Sequence, residues 1–426
     1  MSAHTTTPPT DDLVDVAVIG AGTMGSMTLW QLAEQPGLSV LGIEQYGPAH
    51  SYGAFTGESR LYRAANKEGL IYTEAALTAR RLWAELEAAS GRRILERIGV
   101  LGVGPTGHDA LEMTIRTATD NNLPIRVLDA TDLRREYPQF HVEDDDMGVL
   151  DLLGGGLRPE VAVASALHEA QKHGARVLFD TTVRAIEPGS SPDAPVAIVL
   201  DEGGGARSSD TSSGGELRTV YARKVVVTAG SWTAQVLPEL NDLVKPILFS
   251  LFWFMPRNVD AFAPDRLPGW MRDLGERHAF GVPSLDGYSF KLAPSIAGNE
   301  PAETWDALDF DLTREQVREV GRIGALMFPD VDPEPVRWSR HPDSTTADHV
   351  PVIDAIHDGR VVVAGGMSGN GFKFAPAYGR IAADLALTGT STLQQSMFTV
   401  ESHRARAAAR AAGGTVDGAD LILQGH

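Results

Sequence analysis

Six residues near the start of the chain, Gly20-Ala21-Gly22-Thr23-Met24-Gly25, set the tightest limits on how it folds. They follow an apolar, β-branched run from Val14 to Gly20 (VDVAVIG), read as a buried strand, and they open the helical stretch MTLWQLAEQPG. In a G-x-G-x-x-G turn the first glycine permits the tight turn. The second lets a pyrophosphate approach the backbone, and the third lets helix and strand pack closely. Free N–H groups and the helix dipole then hold phosphate at the helix start. A second strand, Leu38 to Glu44, places Glu44 nineteen residues after Gly25. A carboxylate there accepts hydrogen bonds from a ribose hydroxyl and repels a 2′-phosphate. The opening βαβ unit therefore points to FAD or NAD over NADP.

Further elements follow. Residues 71–89 carry apolar groups at helical spacing, and residues 160–172 form another helix that stops near His173-Gly174. Strands are expected at Arg176 to Phe179, Val183 to Glu187 and Val220 to Ala229. The Gly/Ser-rich stretch 201–216 between the last two reads as a mobile hairpin loop. Residues 245–340 are richer in aromatics and proline, with strand-like pieces FSLFWFM and YSFKLA, and read as a second, mostly antiparallel domain. Gly359 to Gly366 is again a buried strand, 374–388 a helix and 403–412 a short basic helix. Nucleotide-type pattern at both ends and in the middle implies a first domain assembled from separated segments. We expect 13–90, 150–235 and 345–400 in it, 91–149 and 236–344 in a second domain, and tails at 1–12 and 413–426.

Composition excludes several classes. With 37 basic and 56 acidic side chains the net charge is −19, unsuited to neutralising nucleic-acid phosphates. There is no cysteine, which removes disulfides, thiolate metal sites and a cysteine nucleophile together. No HExxH and no tight histidine cluster is present, so no metal site is expected. The N-terminus lacks a basic segment followed by an apolar one, and no apolar run nears 18 residues. A cytoplasmic protein with no membrane partner is the expectation.

The C-terminal part chooses between the two dinucleotides. Val363 to Phe374 (VAGGMSGNGFKF) is a strand, a second glycine-rich turn and a helix start. Such a turn brings backbone N–H groups and a helix dipole to a cofactor's other end. The pyrimidine side of a flavin needs that support when the ring is reduced, and nicotinamide does not.

At this point VAVIGAGTMG, GESRLYR from Gly57 to Arg63, GVPSLDGYSFKL and GMSGNGFKF together resemble the glycine/D-amino-acid oxidase group of flavoproteins. The similarity is to the branch of monomeric sarcosine oxidase and N-methyltryptophan oxidase, over roughly residues 14–400. The resemblance implies an α/β, two-domain architecture: a Rossmann-like FAD domain in discontinuous segments and an antiparallel-sheet substrate domain over the flavin. It implies hydride transfer from the carbon next to nitrogen to flavin N5, imine hydrolysis and, in the oxidases, hydrogen peroxide from O₂. Residue by residue, Ser59 and Arg60 match the pair beside the flavin. Arg63 and Lys373 match the two cations that bind the substrate carboxylate, and Lys291 matches the lysine that activates O₂. Gly20 to Gly25, Glu44, Gln45, Val183, Ala229, Gly230, Trp232, Gly366, Met367, Gly369, Asn370, Gly371 and Phe372 fall on cofactor positions. Met271, Phe280, Asp343 and Ser295 fall on the substrate pocket.

The chain also departs from that pattern. Members of the branch attach FAD to a cysteine. Here His341 takes that place, so a thioether is impossible and FAD is expected to be non-covalent. Two flavin-side histidines read Phe55 and Thr56, and a pocket tyrosine reads Asp343, which makes sarcosine itself doubtful. The expected substrate is a carboxylate-bearing secondary amine, N-methyl, cyclic or otherwise N-substituted, with O₂ as the second reactant. A fructosyl-amino-acid oxidase, a dehydrogenase passing electrons to a carrier and a non-enzymatic FAD-binding subunit stay open at this stage. A monomer or weak homo-oligomer is expected.

Overall fold

The computed structural model describes residues 13–191, 193–202, 216–294 and 299–412. The expected tails, most of the 201–216 loop and Ser295 lie outside the described residues.

The buried run after residue 12 becomes the central strand Leu13–Ile19. It pairs in parallel with Val40–Ile43 on one side and with the C-terminal half of Glu216–Val227 on the other. Arg176–Leu178 extends the parallel set beyond Val40–Ile43, and Val361–Gly365 extends it beyond Val225. Val352–Ile356 closes that edge antiparallel. The N-terminal half of Glu216–Val227 instead runs antiparallel to Val196–Glu202, which pairs with Thr181–Glu187. Helix Thr23–Ala33 is buried over all its residues but the first, as a helix apolar on every side should be. It packs against helices Pro159–Lys172 and Ala375–Thr388, and helix Thr73–Ser90 joins the same layer.

A second eight-stranded sheet runs Arg337–Thr345, Lys245–Phe254, Phe290–Pro294, Arg277–Val282, Gly269–Leu274, Val100–Pro105, Asp146–Asp151, Ile125–Asp129. All its pairings are antiparallel except that of Gly269–Leu274 with Val100–Pro105. The period-2 alternation of strands separates its two faces. Phe252, Phe254, Trp270, Phe290 and Leu292 point into an aromatic core with Phe262, Phe328 and helix Arg314–Met327. Their neighbours Leu251, Trp253, Met271, Lys291 and Ala293 belong to the opposite face. Arg272 lies on the core side, fully buried, where its guanidinium donates to both carboxylate oxygens of Asp146 at 3.0 and 2.7 Å. A small sheet of Arg60–Tyr62, Gly155–Leu157 and Leu95–Glu96 lies apart from both. The fold is mixed α/β with one parallel-centred and one antiparallel sheet. Helix Asp109–Asp120, the strands between residues 100 and 151 and helix Arg314–Met327 had no assignment in the sequence reading. Among the described residues no helix is long and apolar enough to cross a membrane.

Candidate active site

A cavity of about 1090 Å³ is lined by residues of both sheets. Ordinary small-molecule sites hold about 300–1,000 Å³, so this one has room for a dinucleotide with a small substrate beside it. Gly20, Gly22, Thr23, Met24, Glu44, Gln45, Val183, Ala229, Gly230 and Trp232 line it, as do Met367, Gly369, Asn370, Gly371, Phe372 and Lys373. So do Arg60, Arg63, Lys291, Met271, Phe280, His341 and Asp343. Ala21, Gly25, Ser59 and Gly366 are not among its lining residues.

The first glycine turn has distinct demands at each position. Gly20 has φ +86°, and a Cβ there would stand 2.7 Å from the Thr228 carbonyl oxygen. A Cβ on Gly25 would lie 1.7 Å from the Gly20 oxygen, so only glycine lets this helix meet its strand. A Cβ on Gly22 would meet only the Phe55 ring, at 3.6 Å. The fold itself does not need glycine there; a ligand lying against the backbone does. Glu44 is buried, and its carboxylate accepts from the Ala21 amide at 2.8 Å and the Tyr46 amide at 3.0 Å.

In the loop 53–60, Gly57 has φ +105° and Glu58, unusually for a non-glycine, φ +68°. Glu160, in the first turn of its helix, holds this bend by accepting from the Gly57 and Glu58 amides at 2.8 and 3.0 Å. The bend aims the Gly57 and Ser59 carbonyls at Lys291, whose Nζ donates to both. Burial, then the neighbouring Arg60 charge, pushes the Lys291 amine well below its ordinary pKa. The Arg60 guanidinium donates to the carbonyls of Ala54, Thr56 and Ser59 at 2.6–2.7 Å, which locks it in place.

His341 is buried between two hydroxyls. Nδ1 is 2.5 Å from Thr56 Oγ1, and Nε2 is 2.7 Å from Ser339 Oγ. Burial, with Arg60 and Lys291 nearby, lowers its pKa to about 3, so the ring is neutral. Asp343 is buried at the cavity wall. One oxygen accepts from the Ser344 amide and the other from the Gly369 amide at 2.9 Å. Burial raises its pKa to about 6 against those bonds. Its carboxylate thus ties the second sheet to the second glycine turn.

Arg63 and Lys373 come together through a residue the sequence reading did not single out. Oε1 of Glu68 takes an N–H from Arg63 and lies 2.9 Å from Lys373 Nζ. Lys373 also donates to Asn370 Oδ1 at 3.0 Å. All three charged groups are buried. Burial works against the Glu68 charge, but Arg63, Lys373 and Lys67 together hold its pKa far below the usual range. Burial lowers Lys373 to about 7 despite Glu68. Arg63 Nη1 and Glu68 Oε2 are buried without a hydrogen-bond partner among the described residues. The turn after Arg63 is pinned by Asp151, which accepts from the Ala64 and Ala65 amides at 2.7 and 3.0 Å. Glu68 lies five residues from Arg63, but its link to Lys373 and the bonds of Asp151 join segments far apart in sequence and carry no spacing signal. Asp273 and His278, which the sequence reading also did not single out, face each other across a short hairpin turn.

The family model described as FAD dependent oxidoreductase matches residues 15–385. The chain belongs to this family. It is 30% identical over 388 residues to monomeric sarcosine oxidase of Streptomyces avermitilis, covering 90% of this chain and 96% of that one. It is 31% identical over 396 residues to N-methyl-L-tryptophan oxidase of Yersinia pestis, covering 92% and 99%. Among solved structures it resembles NikD, an unusual amino acid oxidase, with TM-score 0.76, 24% identity and 91% and 97% coverage. At that identity the likeness speaks for the fold alone.

The protein is therefore an FAD-dependent oxidoreductase acting on C–N bonds. The residues of the cavity fit the family's cofactor. Gly22 leaves its wall bare for a pyrophosphate at the start of helix Thr23–Ala33, and Glu44 stands where a ribose hydroxyl would be received.

Proposed function

We propose that the enzyme is an oxidase of a carboxylate-bearing secondary amine, with FAD held non-covalently, within the FAD and substrate segments set out above. The observation that carries this reading is the buried Arg63–Glu68–Lys373 cluster at the cavity wall. It holds two cations against one carboxylate, and an Arg63 N–H has no partner among the described residues. A substrate carboxylate supplies the missing charge and the missing acceptor. A fork-shaped guanidinium and a point-charge ammonium suit one carboxylate held in a fixed orientation.

FAD, when bound, accepts a hydride equivalent from the carbon next to nitrogen. The chain supplies the rest. Arg63 and Lys373 fix the carboxylate so that one C–H bond is aligned, and positioning of this kind supplies much of a rate. Met271 and Phe280 form an apolar wall that keeps water from the reacting carbon. The amine must be neutral when the C–H bond breaks, so activity rises as the bound ammonium loses its proton. Arg60, locked by three carbonyls, supplies a fixed positive charge. Lys291, on the same cavity wall, is the group assigned to O₂. The product imine is hydrolysed by water, and the two electrons with two protons reduce O₂ to hydrogen peroxide.

Non-covalent attachment is supported by His341. A neutral imidazole has one donor and one acceptor, and Thr56 and Ser339 engage both nitrogens. Acid precipitation of purified protein tests it: FAD is expected in a yellow supernatant, and a yellow pellet contradicts the reading. N-methyl, cyclic and glycated amino acids assayed for peroxide test the reaction. Bleaching under anaerobic conditions without peroxide in air would instead make the enzyme a dehydrogenase.

A further inference from the structure

The cavity wall changes character along one hairpin. Met271 and Phe280 are direct cross-strand partners, and the next pair on the same face is Asp273 and His278. One step of two residues, about 7 Å, takes the wall from apolar to polar. His278 lines the cavity, and its Nδ1 is 2.6 Å from Asp273 Oδ1. That bond places the hydrogen on Nδ1 and leaves Nε2 with no hydrogen-bond partner among the described residues. Lys67 lines the same cavity, and its charge acts on Glu68 of the carboxylate clamp as well as on Asp273 and His278. Beyond Asp273, His108 Nδ1 stands 3.9 Å from Oδ2.

We propose that His278, with Asp273 behind it and Lys67 beside it, forms a second anion subsite in the substrate chamber, so that the enzyme's substrate is a secondary amine carrying two carboxylates. The inference rests on the amine oxidase reading above and names the substrate class within it.

Charge balance separates a second carboxylate from a neutral group. Arg63, Lys67 and Lys373 against Glu68 and Asp273 leave one positive charge, which the first carboxylate neutralises. A second carboxylate is balanced when His278 takes a proton, giving an imidazolium held between the ligand and Asp273. Burial chiefly, with Lys67 and Arg63 nearby, lowers the His278 pKa in the open chamber, so its ring is neutral before binding. Asp273 stays ionised: burial opposes its charge, but the hydrogen bond from His278 and the nearby Lys67 charge help hold its pKa below the ordinary value. A dicarboxylate therefore binds with uptake of a proton and binds more tightly as pH falls toward the histidine range. A hydroxyl group at the same place would take up none.

The test uses the FAD holoenzyme and non-reacting probes: acetate and butyrate against succinate, glutarate and adipate. Binding is followed by the flavin absorbance change and by calorimetry in buffers of different ionisation heat. At least one dicarboxylate should bind about tenfold or more tighter than butyrate near pH 7, the yield of one added charge-assisted contact. It should take up close to one proton more than butyrate does. His278→Asn can still donate to Asp273 but cannot be protonated, and it should lose both the preference and the proton uptake. Lys67→Met should lose part of the preference. Monocarboxylate binding with no dicarboxylate preference overturns the subsite and leaves the amine oxidase reading standing. A preference that survives in His278→Asn overturns it equally. Failure of every carboxylate, butyrate included, to bind overturns the clamp reading itself.

Discussion

Replacing Lys373 by methionine isolates the carboxylate clamp. The change keeps the apolar stem and removes the ammonium that sits 2.9 Å from Glu68, 3.0 Å from Asn370 and 4.9 Å from the centre of the Phe374 ring. Glu68 keeps its Arg63 partner, so no charge is left wholly unpaired. One charge-assisted contact to the substrate carboxylate is worth about 1.5–3 kcal/mol. That corresponds to a fall of about 10- to 150-fold in kcat/KM, carried mostly by KM. The pH dependence gives a sharper readout. Lys373 titrates at about 7 before ligand binds. Below that pH the ammonium is present and a simple carboxylate such as acetate binds with constant affinity. Above it the ammonium must first be reprotonated, so acetate binding weakens by up to tenfold per pH unit until the pKa of the complex is reached. Glu68 is ionised throughout and adds no slope. Acetate titrations by flavin absorbance from pH 6 to 9 should show this break near 7 in the parent enzyme and none in Lys373→Met. An unchanged KM, or the same break in the variant, refutes the role of Lys373.

Other outcomes follow from the same geometry. Gly22→Val should yield folded protein of low FAD content with the apoprotein melting temperature nearly unchanged, because its Cβ meets the protein only at the Phe55 ring, in ordinary contact at 3.6 Å; Gly25→Ala, whose Cβ collides with the Gly20 oxygen, should instead lower solubility and melting temperature. Lys291→Met should leave anaerobic bleaching by substrate near the parent rate and slow re-oxidation by O₂ about 10²-fold, and equal slowing of both steps contradicts its assignment. Asp146→Asn leaves the buried Arg272 charge uncompensated and should cost about 3–5 kcal/mol in denaturant unfolding, with Arg272→Met/Asp146→Leu less damaging than the single change.

The dinucleotide half of the fold was legible because its signals are local. The strand, Gly20 to Gly25, the helix and Glu44 lie within one short stretch, and each has a steric or hydrogen-bonding reason to be where it is. The strands of residues 245–340 were legible as a class through their aromatic richness, but their faces were not. Resemblance placed Lys291 beside the flavin, but only sheet register shows that its neighbour Phe290 turns to the aromatic core on the other face. Residues 91–149 were placed in the second domain without element assignments. Three of their strands complete the second sheet, joined to it through a parallel pairing that no local pattern announces. The site divides in the same way. Arg63 and Lys373 were found as separate cations, whereas the role of Glu68, five residues after Arg63, depends on a contact with Lys373 that lies 305 positions further on and has no local signature. Asp343 falls on a substrate-pocket position by resemblance. Its oxygens are taken by the Ser344 and Gly369 amides, and the polar end of the chamber is built instead from Lys67, His278 and Asp273.

The central claim is oxidation of a secondary amine held by its carboxylate. Peroxide formation in air measures it most directly, comparing each N-substituted amino acid of a panel with the matching amine that lacks the carboxylate. The account predicts peroxide from at least one of the acids, with kcat/KM falling about tenfold or more for its decarboxylated partner. Equal turnover of acid and decarboxylated amine would contradict it.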